Sequence, residues 1–324
     1  MSRCPYCEST RSLLFGQVFC SRHAGADMSA LESGTLLIRT RHLEETAEHI
    51  SRLSVRLMLN GEQWYRVGGT DRRVHTGNFL VVDQGQRYRT AFTGGEELEM
   101  IMVGFKPGLA EDVHRSLTLQ DARLLDEPFS DAPPIGFFEQ THPSDPVVQG
   151  VFAQLRMLMD RPPEEGRSAD LDGLHTRLLE RLLFLQHGIA RAAGRLPQLD
   201  RATRLEALRR LHTARDLMEA HLAHPLHVAD LAHAACLSPH HFKRLFRDAF
   251  GLTPHRYLTQ LRIERARRLL AGGRHSVQEV CALVGYADPS SFVRLYKRLQ
   301  GRTPGDEKAL FAHPARNSPV NFAA

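Results

Sequence analysis

The chain has 324 residues, 42% of them hydrophobic and 24% charged. That composition supports two or three packed domains and excludes global disorder. No run of about 18 apolar residues occurs, which excludes an ordinary transmembrane helix, and the first residues lead into no apolar signal region, so a cytoplasmic protein is expected. The net charge of +5 conceals an asymmetry. Residues 1–200 carry 22 Lys and Arg against 27 Asp and Glu, whereas residues 201–312 carry 19 against 10. A basic C-terminal part fits either a polyanionic partner or an arginine-rich solvated surface.

The five cysteines are Cys4, Cys7 and Cys20 in one cluster, with Cys236 and Cys281 isolated. That odd, uneven set is no disulfide framework and suggests a reducing compartment. Cys4-x-x-Cys7, twelve residues and Cys20-x-x-His23 offer three thiolates and one imidazole, a donor set that zinc favours in tetrahedral sites. A hairpin from Leu13 to Phe19, turning at Gly16, would separate the two knuckles. Residues 1–26 therefore read as a zinc-binding leader, as a thiol redox sensor at Cys4 and Cys7, or as a leader without function.

From residue 34 to 138 the pattern is short and strand-like. The clearest runs are Thr35-Leu36-Leu37-Ile38, Val55-Arg56-Leu57-Met58-Leu59, Gln63-Trp64-Tyr65-Arg66-Val67, Asn78-Phe79-Leu80-Val81-Val82 and Glu99-Met100-Ile101-Met102-Val103. Turn residues such as Asn60-Gly61 and Gly68-Gly69 separate them. This spacing predicts a sandwich or jelly-roll barrel. Thr40 to Arg52 reads equally as strand or helix. Helical patterns follow at Val147 to Met159 and Leu171 to Ala193. The second carries an apolar stripe of Leu171, Leu174, Leu178, Leu182, Leu185 and Ile189, suited either to a dimer contact or to packing on its own β domain. Residues 196–204 read as a linker and 313–324 as a tail.

A repeat dominates the rest. Residues 238–254 match 288–304 at an offset of 50: Pro239 with Pro289, Phe242 with Phe292, Arg244 with Arg294, Leu245 with Leu295, Gly251 with Gly301, and Thr253-Pro254 with Thr303-Pro304. Each copy reads as a short helix, a tight turn and a second helix, a helix-turn-helix. Val228, Leu231, Ala232 and Ala235 form the first short stripe, and Val277, Val280, Cys281 and Val284 the second. Ser238 and Asp288 are placed as N-caps, with Pro239 and Pro289 at the first helical position. Phe242, Leu245, Phe246 and Ala249 are expected inside, as are Phe292, Leu295, Tyr296 and Leu299. The opposite faces carry His240, Lys243, Arg244 and Arg247 in one copy, and Ser290, Val293, Arg294 and Lys297 in the other. A major groove admits one helix, whose N-terminal side chains reach base edges. His241 and Ser291 are therefore candidate contacts as well. A connecting helix from Arg256 to Ala271 would space the copies rigidly.

The pattern Leu237-Ser238-Pro239-His240-His241-Phe242-Lys243-Arg244-Leu245-Phe246, Gly251-Leu252-Thr253-Pro254, Arg262, Ala266, Gly285-Tyr286-Ala287-Asp288, Phe292, Arg294 and Gly301 to Pro304 resembles the AraC/XylS family of bacterial transcriptional regulators. The resemblance implies a multidomain protein: a cupin-like jelly-roll β domain with a helical hairpin over 34–195, followed by an all-α domain with two helix-turn-helix units over 205–312. It implies seven helices in the second domain, and an effector-sensing or dimerising role for the first. Double-stranded DNA, an unidentified small-molecule effector, a second copy and RNA polymerase are the implied partners, with no membrane and no cofactor beyond the zinc. One departure stands out: Gly305-Asp306-Glu307-Lys308 follows the last Thr-Pro, where members often carry an aromatic-Arg pair.

Two alternatives compete. A cupin-type enzyme would need clustered histidines on the barrel strands, and no His-x-His pair occurs between Gly77 and Arg89, where Tyr88 stands instead; no catalytic residue and no enzyme activity are expected. An effector-independent repressor would use its β half only to dimerise. Trp64, the only tryptophan, is either a core aromatic or part of an effector pocket.

Overall fold

A computed structural model describes residues 12–14, 17–19, 34–40, 48–91, 98–118, 135–160, 167–197 and 200–312. Cys4, Cys7, Cys20, His23 and the tail 313–324 lie outside the described residues. The chain divides into two compact units, residues 1–216 and 217–324.

The first unit is a two-sheet antiparallel sandwich. Its strands are β3 (Gly34–Thr40), β4 (His49–Ile50), β5 (Ser54–Asn60), β6 (Glu62–Val67), β7 (Thr70–His75), β8 (Asn78–Val82), β9 (Arg87–Ala91), β10 (Leu98–Gly104) and β11 (Gln140–Pro143). One sheet has the order β11-β8-β5-β10-β3, the other β4-β9-β6-β7. A separate hairpin pairs β1 (Ser12–Leu14) with β2 (Gln17–Phe19), with Leu13 opposite Val18. Helices α1 (Leu109–Thr118), α2 (Pro146–Asp160) and α3 (Arg167–Ala193) complete the unit, with the start of α4 (Arg201–Ala220).

Two cores explain the strand patterns. Between the sheets, Met58, Leu80, Val82 and Met100 meet Tyr65, Val67, Val74 and Tyr88. On the outer face of the five-stranded sheet, Leu37, Val55, Leu57, Phe79, Val81 and Ile101 pack against α1, α2 and α3. Covering both faces is why β5 and β8 read as continuous apolar runs. β9 instead alternates, with Tyr88 and Thr90 inward and Arg87 and Arg89 outward.

The leucine stripe of α3 joins this second core through Leu174, Leu178 and Leu182, so it packs on its own β domain. Trp64 is not a fully buried core aromatic: it is half-buried on the face of β6 opposite Tyr65, and the Arg73 guanidinium stands 6.0 Å from its ring. The ambiguous segment 40–52 contains the short strand β4. Residues 41–47 lie outside the described residues.

α4 begins at Arg201, inside the segment read as a linker, and residues up to 216 group with the β unit. The physical reason is a buried polar cluster. Arg72 Nε donates to Asp216 Oδ2 at 3.0 Å, Thr141 Oγ1 donates to Asp216 Oδ1 at 2.8 Å, and Arg215 donates to the Thr141 carbonyl. Such a cluster is tolerated in the interior because its charges are paired and hydrogen-bonded. Beside it His142 stacks on Phe79 at 4.9 Å, and burial together with the Arg215 charge pushes its pKa down to about 3.

The second unit holds the end of α4 and helices α5 (Val228–Ala234), α6 (Pro239–Phe250), α7 (Pro254–Ala271), α8 (Val277–Leu283), α9 (Pro289–Gln300) and α10 (Pro304–Ala312). Counting α4, that is the seven helices expected.

Candidate nucleic-acid interface

Each copy of the repeat is built from its caps. In the first, His227 N–H bonds to Asp230 Oδ2 at 3.1 Å and starts α5. In the second, Ser276 and Glu279 form a reciprocal capping box, with Ser276 N–H to Glu279 Oε2 at 2.7 Å and Glu279 N–H to Ser276 Oγ at 3.2 Å. Hydrogen bonds from the Ser276 backbone N–H and then its side chain hold the Glu279 carboxyl below its usual range.

The turns correspond closely. Leu237 N–H donates to Ala232 O at 2.9 Å, and Tyr286 N–H donates to Cys281 O at 3.0 Å. Cys236 and Gly285 occupy the left-handed position, with φ of 51° and 79°. By these bonds α5 maps onto α8 at an offset of 49, while α6 maps onto α9 at 50. The second turn is therefore one residue longer, with Ala287 as the extra residue before the cap.

The second helices start and stop alike. Ser238 Oγ accepts from His241 N–H at 3.4 Å; Asp288 accepts from Ser290 N–H at 3.1 Å and Ser291 N–H at 2.9 Å. Those bonds to Ser291 and Ser290 hold the Asp288 carboxyl below its usual range. Pro239 and Pro289 lead each helix, and Gly251 and Gly301 end it in the left-handed region, at φ 75° and 77°.

The caps fix which face is buried. Phe242, Leu245, Phe246 and Ala249 are buried in α6, and Phe292 and Tyr296 in α9. Leu299, expected inside, is 43% exposed, and Leu295 is half-buried. Leu299 lies in the last turn of α9, past Tyr296, whereas Leu295 stands between Phe292 and Tyr296 in sequence, beside the buried line they form. The candidate contacts lie on the open face. His240, Lys243, Arg244 and Arg247 are exposed and His241 is half-buried; Ser290, Ser291, Arg294 and Lys297 are exposed and Val293 is half-buried. Arg294 Nη2 donates to Ser291 Oγ at 3.3 Å, so two of the predicted contacts are already oriented by each other.

The framework behind these faces is aromatic and ionic. Phe246 packs on Phe250 at 4.5 Å and on Tyr257 of α7 at 5.4 Å. Arg262 of α7 donates to Leu222 O at 2.7 Å and His224 O at 3.0 Å, and covers the Tyr286 ring at 5.4 Å. The departure at residues 305–308 has a clear role. Glu307 is buried and accepts ion pairs from Arg267 of α7 at 3.2 Å and from Arg302 at 3.4 Å, fastening α10. Burial, with the Glu307 carboxylate nearby, pushes the Tyr296 phenol up to about 12.

Comparison with known proteins agrees with this geometry. Residues 231–309 match the family model for a helix-turn-helix domain, and residues 40–187 match the model for an AraC-like ligand binding domain. The chain belongs to the AraC family of transcriptional regulators. It is 35% identical over 81 residues to the HTH-type transcriptional activator RhaR of Yersinia pseudotuberculosis, 24% of this chain and 28% of that protein. It is 34% identical over 70 residues to the probable transcriptional regulator LumQ of Photobacterium leiognathi, 22% of this chain and 28% of that protein. The matches thus span little more than a quarter of these relatives. An AraC-type transcriptional regulator structure from Chromobacterium violaceum is similar at 32% identity, covering 33% of this chain and 95% of that one, with a TM-score of 0.31.

Proposed function

We propose that this AraC family protein is a sequence-specific, double-stranded DNA-binding transcription regulator governed by a small-molecule effector held in its β domain. One observation carries the reading: a capped helix-turn-helix occurs twice, each time with an open face of groove-compatible side chains. An isolated basic helix would fit a solvated surface equally well; two matched copies joined by α7 do not. At 1.5 Å per residue the 18 residues of α7 extend about 27 Å, of the same order as the roughly 34 Å repeat of a groove along one DNA face. In this reading α6 and α9 enter successive major grooves, and Arg244, Arg247, Arg294 and Lys297 supply affinity through phosphate and guanine contacts.

The effector role rests on the AraC-like ligand binding model over residues 40–187. The reading includes a homodimer and contact with RNA polymerase as the partners that such a regulator would need, and the cytoplasm as its location. No helix among the described residues is long and apolar enough to cross a membrane. It also includes a zinc ion held by Cys4, Cys7, Cys20 and His23. Donor type and spacing support that assignment. So does the β1–β2 hairpin, which falls between the two ligand pairs in sequence and sets Ser12 opposite Phe19.

Selection of bound duplexes from a random pool by the full chain tests the reading. It should yield a motif of two distinct half-sites. Recovery of no motif would overturn it.

A further inference from the structure

Arg56 is a cation in an interior. It sits on β5, the middle strand of the five-stranded sheet, and is 2% exposed. In register its neighbours are Leu80 on β8 and Met102 on β10. Its guanidinium reaches across to the second sheet, 4.4 Å from the centre of the Tyr88 ring and 5.4 Å from that of Tyr65. Nη1 donates to Ser54 Oγ at 3.1 Å. Among the described residues no carboxylate pairs with it.

Two other buried arginines of this unit differ from it in reaching a carboxylate. Arg72 and Arg215 both reach Asp216. A buried charge is costly unless it is paired, and a cation over two aromatic faces recovers only part of that cost. A guanidinium carries five donors arranged to grip a carboxylate in a bidentate way. The surroundings suit one negative charge on an otherwise apolar body. Met58 and Met100 form an adaptable apolar wall, and the Tyr65 hydroxyl, already donating to Gln63 Oε1 at 2.6 Å, adds a polar edge.

We propose that the effector is a small organic carboxylate whose anionic group is held by Arg56 between the two sheets, against the rings of Tyr88 and Tyr65. The inference rests on the effector-sensing role proposed above and names the chemical class sensed.

The test is thermal unfolding of the full chain with sodium octanoate and sodium benzoate, set against octanamide and benzamide. The amides keep the shape and remove the charge. A ligand that binds only the native state raises the midpoint in proportion to its occupancy. At least one carboxylate should raise the midpoint saturably, and its amide should not. Arg56→Met should weaken the apparent affinity about ten- to a hundredfold, the usual worth of a charge-assisted contact. Arg56→Lys, which keeps the charge without the fork, should retain a preference for the acid over the amide, and it carries the test if the methionine variant fails to fold. Without ligand, Arg56→Met should unfold at the wild-type temperature or above, since an uncompensated charge has been replaced by an apolar chain. Three results would overturn the proposal: no shift with either carboxylate, equal shifts with acid and amide, or undiminished carboxylate binding by Arg56→Met. Equal shifts would leave effector sensing standing and remove only its anionic class. Carboxylate binding in a chain that retards no DNA would instead remove the regulator reading and leave the site.

Discussion

Cys236 and Gly285 occupy the same left-handed position in the two turns, yet only one of them has to be glycine. A Cβ built on Gly285 would stand 2.5 Å from the carbonyl oxygen of Ala223, which is backbone and cannot swing away. Cys236 carries its Cβ at φ 51° and pays only the ordinary left-handed strain, about 1–2 kcal/mol. Gly285→Ala should therefore destabilise the second unit by at least about 2–3 kcal/mol, combining positive φ with overlap. Cys236→Gly should leave stability unchanged or raise it by up to about 1 kcal/mol. Urea unfolding of both variants checks this. Equal costs at the two sites would show that the close approach to Ala223 does not matter.

His142 supplies a pH dependence. Its ordinary pKa of 6.5 falls to about 3 in the fold, through burial and then the Arg215 charge, with Asp145 opposing. The His212 imidazole is likewise held neutral by burial and by Arg215. The native state thus favours the uncharged ring. Its stabilising contribution is fully present above about 6.5 and is lost as pH falls toward 3. At pH 5 the loss from His142 alone is about 2 kcal/mol. Urea midpoints of the wild type should fall between pH 7 and pH 5, and those of His142→Gln should fall less. Parallel declines would assign the acid sensitivity elsewhere.

The helical half was legible because its signals are local. Caps, prolines, C-terminal glycines and a 3.6-residue period all lie within a dozen residues of each other, and the repeat doubled the signal. What escaped depended on distant partners. β7 reads as polar, Thr70-Asp71-Arg72-Arg73, because Arg72 is buried by a bond to Asp216, 144 residues away. β9 hides its inward Tyr88 between Arg87 and Arg89, and its other inward residue is the polar Thr90. α1 was not read, because Ala110 and Val113 are its only buried apolar positions. Arg56 lay in plain view inside the apolar run of β5; its burial became meaningful only when the opposite sheet supplied Tyr65 and Tyr88. The inserted residue at Ala287 was invisible at an offset of 50, since the short helices align at 49.

The proposed zinc site predicts one tightly bound zinc per chain. Elemental analysis of tag-free protein should find it, and Cys4→Ala with Cys7→Ala should remove it. Zinc-free wild-type protein, or the same content in the double variant, would dismiss the site.

In the proposed reading α6 and α9 should divide their work. Arg244 and Arg294 are identical, and Arg247 and Lys297 similar, so these pairs cannot make the copies read different bases. His240 against Ser290, His241 against Ser291 and Lys243 against Val293 can. Val293 offers only apolar contact, which suits a thymine methyl. Lys243→Ala should relax base preference in one half-site by about 1–3 kcal/mol per contacted pair and leave the other intact. A random-site selection returning the wild-type motif in both half-sites would refute this division.

The most direct measurement of the central claim is the salt dependence of DNA affinity for the full chain, wild type against Arg247→Ala with Lys297→Ala. Each neutralised phosphate contributes a slope of roughly 0.9 in log affinity against log salt. The double variant should bind all sequences more weakly, with a slope shallower by about 1.8. Unchanged affinity and an unchanged slope would mean that α6 and α9 do not face DNA.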